Sequence, residues 1–537
     1  MLAAILVAVG ALSGCGGSSK KKTTTATQSR TATATTGKPT TKAKGLVTVP
    51  ADVTSGTGSS GPDQMRITIY DLRQQGPFVV LDFSFACERA SIGSSCGGSD
   101  FAPALSSSLT ADGVTLVDPV AQKEYWAVMD SQGRPASSQV PSVSTSGPPG
   151  LMWVKFPAPP GSVHTVDVVF PNGGPLVTGV PISTSPAPTP AQVGRGVQPA
   201  APAPFAQAPD SESTAGLTLP VLNLVTTAGN PNGSNSESST RAQISLHADV
   251  LFHFDKSNLT VRAHAILRSV AQSIKSRAVG TVAVTGYTDS IGTDQVNIPL
   301  SEARAASVVG ALKTLTPGVS YNAAGKGSAD PVAPNTKPDG SDNPAGRALN
   351  RRVTIVYAVK APAPPTPPPA AVAPQASGSS GLTTTYTVAE SPTSSSTYQV
   401  TVNRFFRDGA LGVLELTATC TGWTSGPNSS GCDGEFDWGG SGTVPPQTSR
   451  ETGAASRDAS GIYVTDPATG TEYIPVRDSK NYVMTAGTSP TMVKAHPYPL
   501  WLYFPAPPQG TSSINVMLPG AAASIKGVPV GAQPPGP

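Results

Sequence analysis

Hydrophobic positions recur along this chain with two different periods, and the period changes twice. Near the N-terminal side the apolar residues alternate: Ile67 and Ile69, then Val79 to Phe85, and later Met152 to Phe156 and Val166 to Phe170. The same alternation returns far downstream at Val400 and Val402 and at Val413 to Thr419. A period of two places one row of side chains on one face of a strand, so both regions predict short antiparallel strands. Turn signals separate them: Gly76-Pro77, Asp112-Gly113 and Pro171 to Gly174. Between these regions the period lengthens. Leu259, Ala263, Ile266, Leu267, Val270 and Ile274 fall at helical spacing, as do Ala305, Val308, Val309 and Leu312. These predict two amphipathic helices. Strands are expected beside them at Ala248 to Phe254, Thr281 to Gly286, Ser320 to Ala324 and Arg352 to Tyr357. Pro299 requires the second helix to start after it or to kink there. The middle of the chain therefore reads as an α+β layer, with both helices on one face of a small mixed sheet, flanked by two antiparallel sandwiches of immunoglobulin-like type.

Composition explains how three such units share 537 residues. Gly and Pro each number 55 and charged residues make up only 13%. Apolar cores must then be concentrated in islands. Pro/Ala-rich stretches at Thr184 to Asp210 and Ala361 to Gly381 isolate the α+β unit, the second expected as extended polyproline II. Leu217 to Thr227, an apolar run between the first linker and the central unit, is a candidate extra strand docked on a neighbour. A net charge of +3 gives no signal for nucleic acid.

The flanking sandwiches repeat each other. Gly113, Asp118-Pro119, Glu124-Tyr125, Asp130-Ser131, Phe156 to Pro160 and Gly179 to Pro181 recur 348 positions on, from Gly461 to Pro529. Upstream the displacement is 333, as from Cys87 to Cys420. The difference falls in loops. Cys87 with Cys96 and Cys420 with Cys432 form close pairs with no His nearby, which reads as two disulfides stapling loops in an oxidising compartment. The Phe-Pro-Ala-Pro-Pro segments read as strands ended by proline at a sheet edge. Nothing in the sequence names the protein or glycan partner such modules take.

At the N-terminus, Leu2 to Leu12 is apolar but too short to span a bilayer, and Leu12-Ser-Gly-Cys15 follows. This resembles a bacterial lipoprotein signal peptide, 1–14, with Cys15 as the lipidated residue. No Lys or Arg precedes the run, and an ordinary secretion signal is the alternative; both export the chain. Residues 15–60 then read as a basic tether, with seven Lys and Arg and no acid between Gly16 and Val49.

The chemistry concentrates between Gly286 and Ala305. Asp289 ends a strand and Arg304 lies on the following helix, so a turn can bring opposite charges to one pocket that suits a ligand carrying both an ammonium and a carboxylate. Around them stand Asp249 to Asp255 (Asp-Val-Leu-Phe-His-Phe-Asp), Gly286 to Asp289, Asn297 to Ser301, Arg304-Ala305, Gly325 to Ser328, Pro331 and Asn350 to Val353. In that order these motifs resemble the OmpA-like peptidoglycan-binding domain over some 115 residues. The resemblance implies non-covalent binding of the peptide stem of peptidoglycan through diaminopimelate, with Asp289 toward its ammonium and Arg304 toward its carboxylate. Asn297 lies seven residues before Arg304, on the same helix face, as an auxiliary donor, and Leu300 would line the pocket. Thr288, Phe254, Asp255, Asn350 and Arg351 form a second tier. Of Arg351 and Arg352, alternation lets only one face the pocket.

The five histidines are scattered, without metal spacing, and no nucleophile stands beside a base. An enzyme and a metal or other cofactor are therefore not expected. The layout that follows is a sandwich at 61–183, a linker at 184–242, the OmpA-like domain at 243–360, a Pro-rich linker at 361–381 and a second sandwich at 382–533. The expected function is a lipid-anchored envelope protein, on the outer membrane or the periplasmic face, that grips the wall. The alternative is an adhesin or receptor whose sandwiches carry the function.

Overall fold

The computed structural model describes residues 46–53, 62–91, 93–97, 101, 109–184, 213–360, 381–391, 394–424, 432–433, 459–486, 491–519 and 523–533. Cys15, the signal sequence, most of the basic stretch and both Pro-rich segments lie outside them. No helix among the described residues is long and apolar enough to cross a membrane.

The first flanking unit contains β1 (Val47–Val53), β2 (Asp63–Gln75), β3 (Phe78–Arg89), β4 (Ser95–Cys96), β5 (Thr115–Asp118), β6 (Lys123–Tyr125), β7 (Val143–Ser144), β8 (Gly150–Pro157), β9 (Thr165–Val169) and β10 (Leu176–Pro181). One antiparallel sheet has the order β1-β2-β3-β8. A second follows the pairings β10–β9, β9–β5 and β5–β6. Their facing rows share one cluster: Ile67, Ile69, Phe83 and Phe85 meet Leu116, Val166 and Val168, all buried. Strand β1 lies in the span read as tether. Its Val47, Val49, Ala51 and Val53 alternate toward the core, a period-two signal masked by the basic residues before it.

The central unit follows with β11 (Val221–Asn230), β12 (Gly233–Glu237), β13 (Arg241–His247), α1 (Ala248–Leu251), α2 (Val261–Arg277), β14 (Ala278–Gly286), α3 (Asp294–Leu315), β15 (Tyr321–Gly325), α4 (Pro344–Asn350) and β16 (Arg352–Val359). Its sheet runs β12-β13-β16-β14-β15, antiparallel except for the parallel β14–β15 pair. Leu267, Val270 and Ile274 of α2 and Ala305, Val308 and Leu312 of α3 pack with Val282, Val284, Val353 and Ile355 in one core.

Ala248 to Phe254, expected as a strand, is instead a helical turn. Its buried residues are Ala248, Leu251 and Phe252, the i, i+3, i+4 face of a turn, which in so short a run mimics alternation. Helix α3 begins before Pro299 and runs through it. The proline withholds one N–H from the ladder near the helix start.

The second flanking unit contains β17 (Leu382–Ser391), β18 (Ser394–Asp408), β19 (Leu411–Thr424), β20 (Cys432–Asp433), β21 (Tyr463–Asp466), β22 (Thr471–Asp478), β23 (Thr491–Met492), β24 (Pro497–Pro505), β25 (Ser513–Met517) and β26 (Ser524–Ala532). Its strands pair as their counterparts do: β17–β18–β19–β24, and β26–β25–β21–β22. Cys87 is bonded to Cys96 and Cys420 to Cys432. Closing such short loops is worth on the order of 2–4 kcal/mol each in the chain-entropy account.

The three units are sewn together by β11, which falls within the span 184–242 read mainly as linker. Val221 to Asn223 pair with β6, Leu224 to Gly229 pair with β22, and Thr226 to Asn230 pair with β12 on the other edge. The flanking units also stack. Val117 and Val169, on the outer side of the β5–β9 pair, join the cluster of Val413, Trp501 and Tyr503. Trp501 Nε1 donates to Gly174 O at 3.0 Å, and Ala410 N donates to Pro119 O at 3.0 Å.

Candidate functional site

Strand β14 delivers its last residues against the side of α3. At Gly286 a Cβ would lie 2.1 Å from the Ser301 carbonyl oxygen, so only glycine lets strand end and helix approach this closely. Thr288 and Asp289 follow, both buried. Thr288 N donates to Gly327 O at 2.8 Å and its hydroxyl donates to the Asp289 carbonyl. Asp289 Oδ1 accepts from Ile291 N at 3.0 Å, turning the chain toward α3.

Asp289 Oδ2 accepts from Arg351 Nη1 at 2.8 Å, and Arg347 Nε stands 3.8 Å away. Arg351 is shared: its Nε and Nη2 donate to Asp249 at 3.0 and 2.5 Å. That bidentate grip holds the Asp249 carboxyl below its ordinary range, and the two aspartates raise the Arg351 guanidinium above its own. Arg347 also pairs with Asp342.

Arg304, two turns after Asn297 on α3, is 5% exposed. Its Nε donates to Lys256 O at 3.1 Å, and its guanidinium lies 5.4 Å from the Phe252 ring centroid. Burial pushes its pKa down, opposed by the field of Asp249, Asp255 and Asp289 and helped by Arg351. No ion pair joins Arg304 to a carboxylate among the described residues. The expected opposite charges thus sit in one electrostatic neighbourhood without being spent on each other. Asp289 has a guanidinium partner, and Arg304 keeps both terminal nitrogens for another.

The remaining predicted residues divide. Asn297 is buried and its Nδ2 donates to Ile291 O at 3.0 Å, which fixes the loop below Asp289. Leu300 is half-buried beside them. Asp255 adopts a left-handed backbone, with φ 51°, and is exposed, as is Phe254 at 91%. Asn350 is elsewhere engaged. Its Oδ1 accepts from Val332 N and Ala333 N, and its Nδ2 donates to Ala333 O and Asn335 Oδ1, so it shapes a loop and has no donor left for a pocket ligand. Arg351 faces the pocket, whereas Arg352 turns away, 3.8 Å from the Tyr287 ring centroid and bonded to Asp330 O. Sequence reasoning missed Asp249 and Arg347 as members of the charge network. Asp249 opens a recognised motif, and nothing local marked it as a partner for a residue 102 positions away. No group of His, Cys, Asp or Glu able to hold a metal occurs among the described residues.

Residues 251–344 match the OmpA family, so the central unit is an OmpA family domain. The chain is 43% identical over 112 residues to the photosystem I P700 chlorophyll a apoprotein A2 of Gloeobacter violaceus, covering 21% of this chain and 13% of that one. It is 41% identical over 116 residues to outer membrane protein A of Bordetella avium, covering 21% and 56%. With the peptidoglycan-binding protein ArfA of Mycobacterium bovis it shares 37% over 108 residues, 20% and 31% of the two chains. The chain thus spans between 13% and 56% of these relatives' lengths.

Proposed function

We propose that this chain binds peptidoglycan non-covalently in the cell envelope, with the Asp289–Arg304 pocket as the grip. The carrying observation is the buried pair of opposite charges that are not paired with each other: the Asp289 carboxylate at the strand end, and Arg304 with its terminal nitrogens unspent. A diaminopimelate side chain ends in an ammonium and a carboxylate on one carbon, the charge pattern such a pocket complements. The OmpA family domain and the name of the mycobacterial relative support this reading. Thr288 and Asn297 would set the geometry of the loop, and Leu300 would contact the apolar part of the stem. Lipidation at Cys15 would tether the chain to a membrane. The flanking units, which we take as immunoglobulin-like sandwiches, would act as one stacked block beside the wall-binding domain, since β11 and the Trp501 contact join them. The role is binding, with no catalytic step.

The test is retention on diaminopimelate-type peptidoglycan. The wild-type chain is retained, and Asp289→Ala and Arg304→Ala each release it. Unchanged retention of both variants removes the basis of the proposal.

A further inference from the structure

The helix-free face of the central sheet is not a flat solvated surface. It forms a trough of about 670 Å³, floored by side chains of β12, β13, β16 and β14 and closed at one end by the loop around Asp330 to Val332. Its walls are fixed before any ligand arrives. Arg352 is held between the Tyr287 ring, Asp330 O and Asn350 O, and Val332 is anchored by its N–H to Asn350. At the other side Gly233 presses the β12 edge onto β13, where a Cβ would stand 2.0 Å from Ser245 O.

The floor, by contrast, is unspent. Among the described residues the side chains of Arg241, Ser234, Gln243, Ser245 and Thr285 make no hydrogen bond or ion pair with protein, and all five line the trough. They offer hydroxyls, a primary amide and a guanidinium. The volume is that of a ligand site, but the lining is too polar for an apolar ligand. Rigid walls and unspent donors and acceptors favour a molecule with many hydroxyls, because little ordering cost is left to binding. Among the described residues that line the trough, Lys326 is paired with Asp330 and Arg352 is held against Tyr287, which leaves Arg241 as the cation without a partner and favours a ligand that also carries a carboxylate. The trough is separate from the Asp289 pocket: the adjacent residues Arg351 and Arg352 point to the two sites from opposite sides of the start of β16.

We propose that this trough is a second binding site, for a pyranose with a free carboxylate, such as a muramic acid unit of a wall glycan that carries no stem peptide, with Arg241 on the carboxylate and Ser234, Gln243, Ser245 and Thr285 on ring hydroxyls. This assignment of the source, though not of the chemistry, rests on the wall-binding reading of the neighbouring pocket.

The experiment is calorimetric titration of the full chain with N-acetylmuramic acid, N-acetylglucosamine, glucuronic acid and meso-diaminopimelate. N-acetylmuramic acid is expected to bind saturably, and N-acetylglucosamine, lacking the carboxylate, at least tenfold more weakly. Arg241→Ala, at an exposed position, should weaken N-acetylmuramic acid at least tenfold, and Ser245→Trp should abolish it by filling the trough. Neither variant should change diaminopimelate binding, which depends on Asp289 and Arg304. Absence of saturable sugar binding, or sugar binding unaltered in Arg241→Ala, overturns the site. Tighter binding of glucuronic acid than of N-acetylmuramic acid overturns the wall-glycan source. Unchanged diaminopimelate binding in Asp289→Ala overturns the wall-binding reading and leaves the sugar result intact, so the two readings fail separately.

Discussion

Asp289 and Asp167 are both withdrawn from water, at 7% and 0% exposure, yet the company each keeps is opposite. Asp289 faces guanidinium groups on Arg351 and Arg347, with Arg304 nearby. Asp167, at the junction of the two flanking units, faces another carboxylate. It neighbours Asp408 of the second unit, accepts from Tyr503 O–H and from Gly179 N at 2.9 Å, and has Asp118 close by. Burial pushes the Asp167 carboxyl up, and burial with the Asp167 and Asp118 charges pushes Asp408 up further. A carboxyl–carboxylate contact needs a proton, whereas a carboxylate–guanidinium contact does not. The junction is therefore a titratable fastener, and the Asp289 network is a charge pattern that needs no added proton.

The largest effect expected from this contrast is on stability against pH. Carboxyls whose pKa is higher in the folded than in the unfolded chain bind more protons when folded, so their contribution is complete at acid pH and is lost as pH rises through the folded values. As pH rises from the ordinary carboxylate range through the folded values, about 6 for Asp167 and about 9 for Asp408, the junction should lose on the order of 3–5 kcal/mol, the cost of an uncompensated buried charge. Denaturant titrations from pH 5 to 10 measure this, and Asp408→Asn should flatten the profile. A profile as steep in Asp408→Asn as in wild type would break the comparison.

Next in size is Arg351→Ala, which strips Asp249 and Asp289 of their shared partner. It should cost about 2–3 kcal/mol, with little pH dependence above pH 6. Tyr503→Phe should cost about 1–3 kcal/mol by removing the donor to Asp167, and, because that O–H holds the Asp167 carboxyl down, should extend the loss on alkalinisation to higher pH. Phe254→Ser, at 91% exposure, should leave stability within about 0.5 kcal/mol, so any change it makes in wall retention reports on ligand contact.

Much of the central unit could be read from its residues because both signals, helical spacing and ordered motifs, lie close together in sequence. Leu267, Val270 and Ile274 and then Val308 and Leu312 mark helices that the structure places on one sheet face. The charges of the pocket were legible as types, but their partners were not. Alternation allowed either Arg351 or Arg352 to face Asp289, and only the turn after α4 decides for Arg351. Asn350 serves a loop in the structure, and a buried amide in a motif looks the same in sequence whether it serves a loop or a ligand. The junction of the flanking units was invisible. Asp167 and Asp408 are 241 positions apart, and a strand's outer face shows no sign in sequence of what will cover it. Likewise β11 carries apolar residues without a clean period, since its two ends pair with different units.

The central claim is that Asp289 and Arg304 together hold a zwitterionic amino-acid terminus. Its most direct test is calorimetric titration of meso-diaminopimelate into wild type, Asp289→Asn and Arg304→Ala. Charge-assisted hydrogen bonds of about 1.5–3 kcal/mol predict roughly 10- to 100-fold weaker binding in each variant, with folding preserved. Equal affinity in all three proteins would contradict the account.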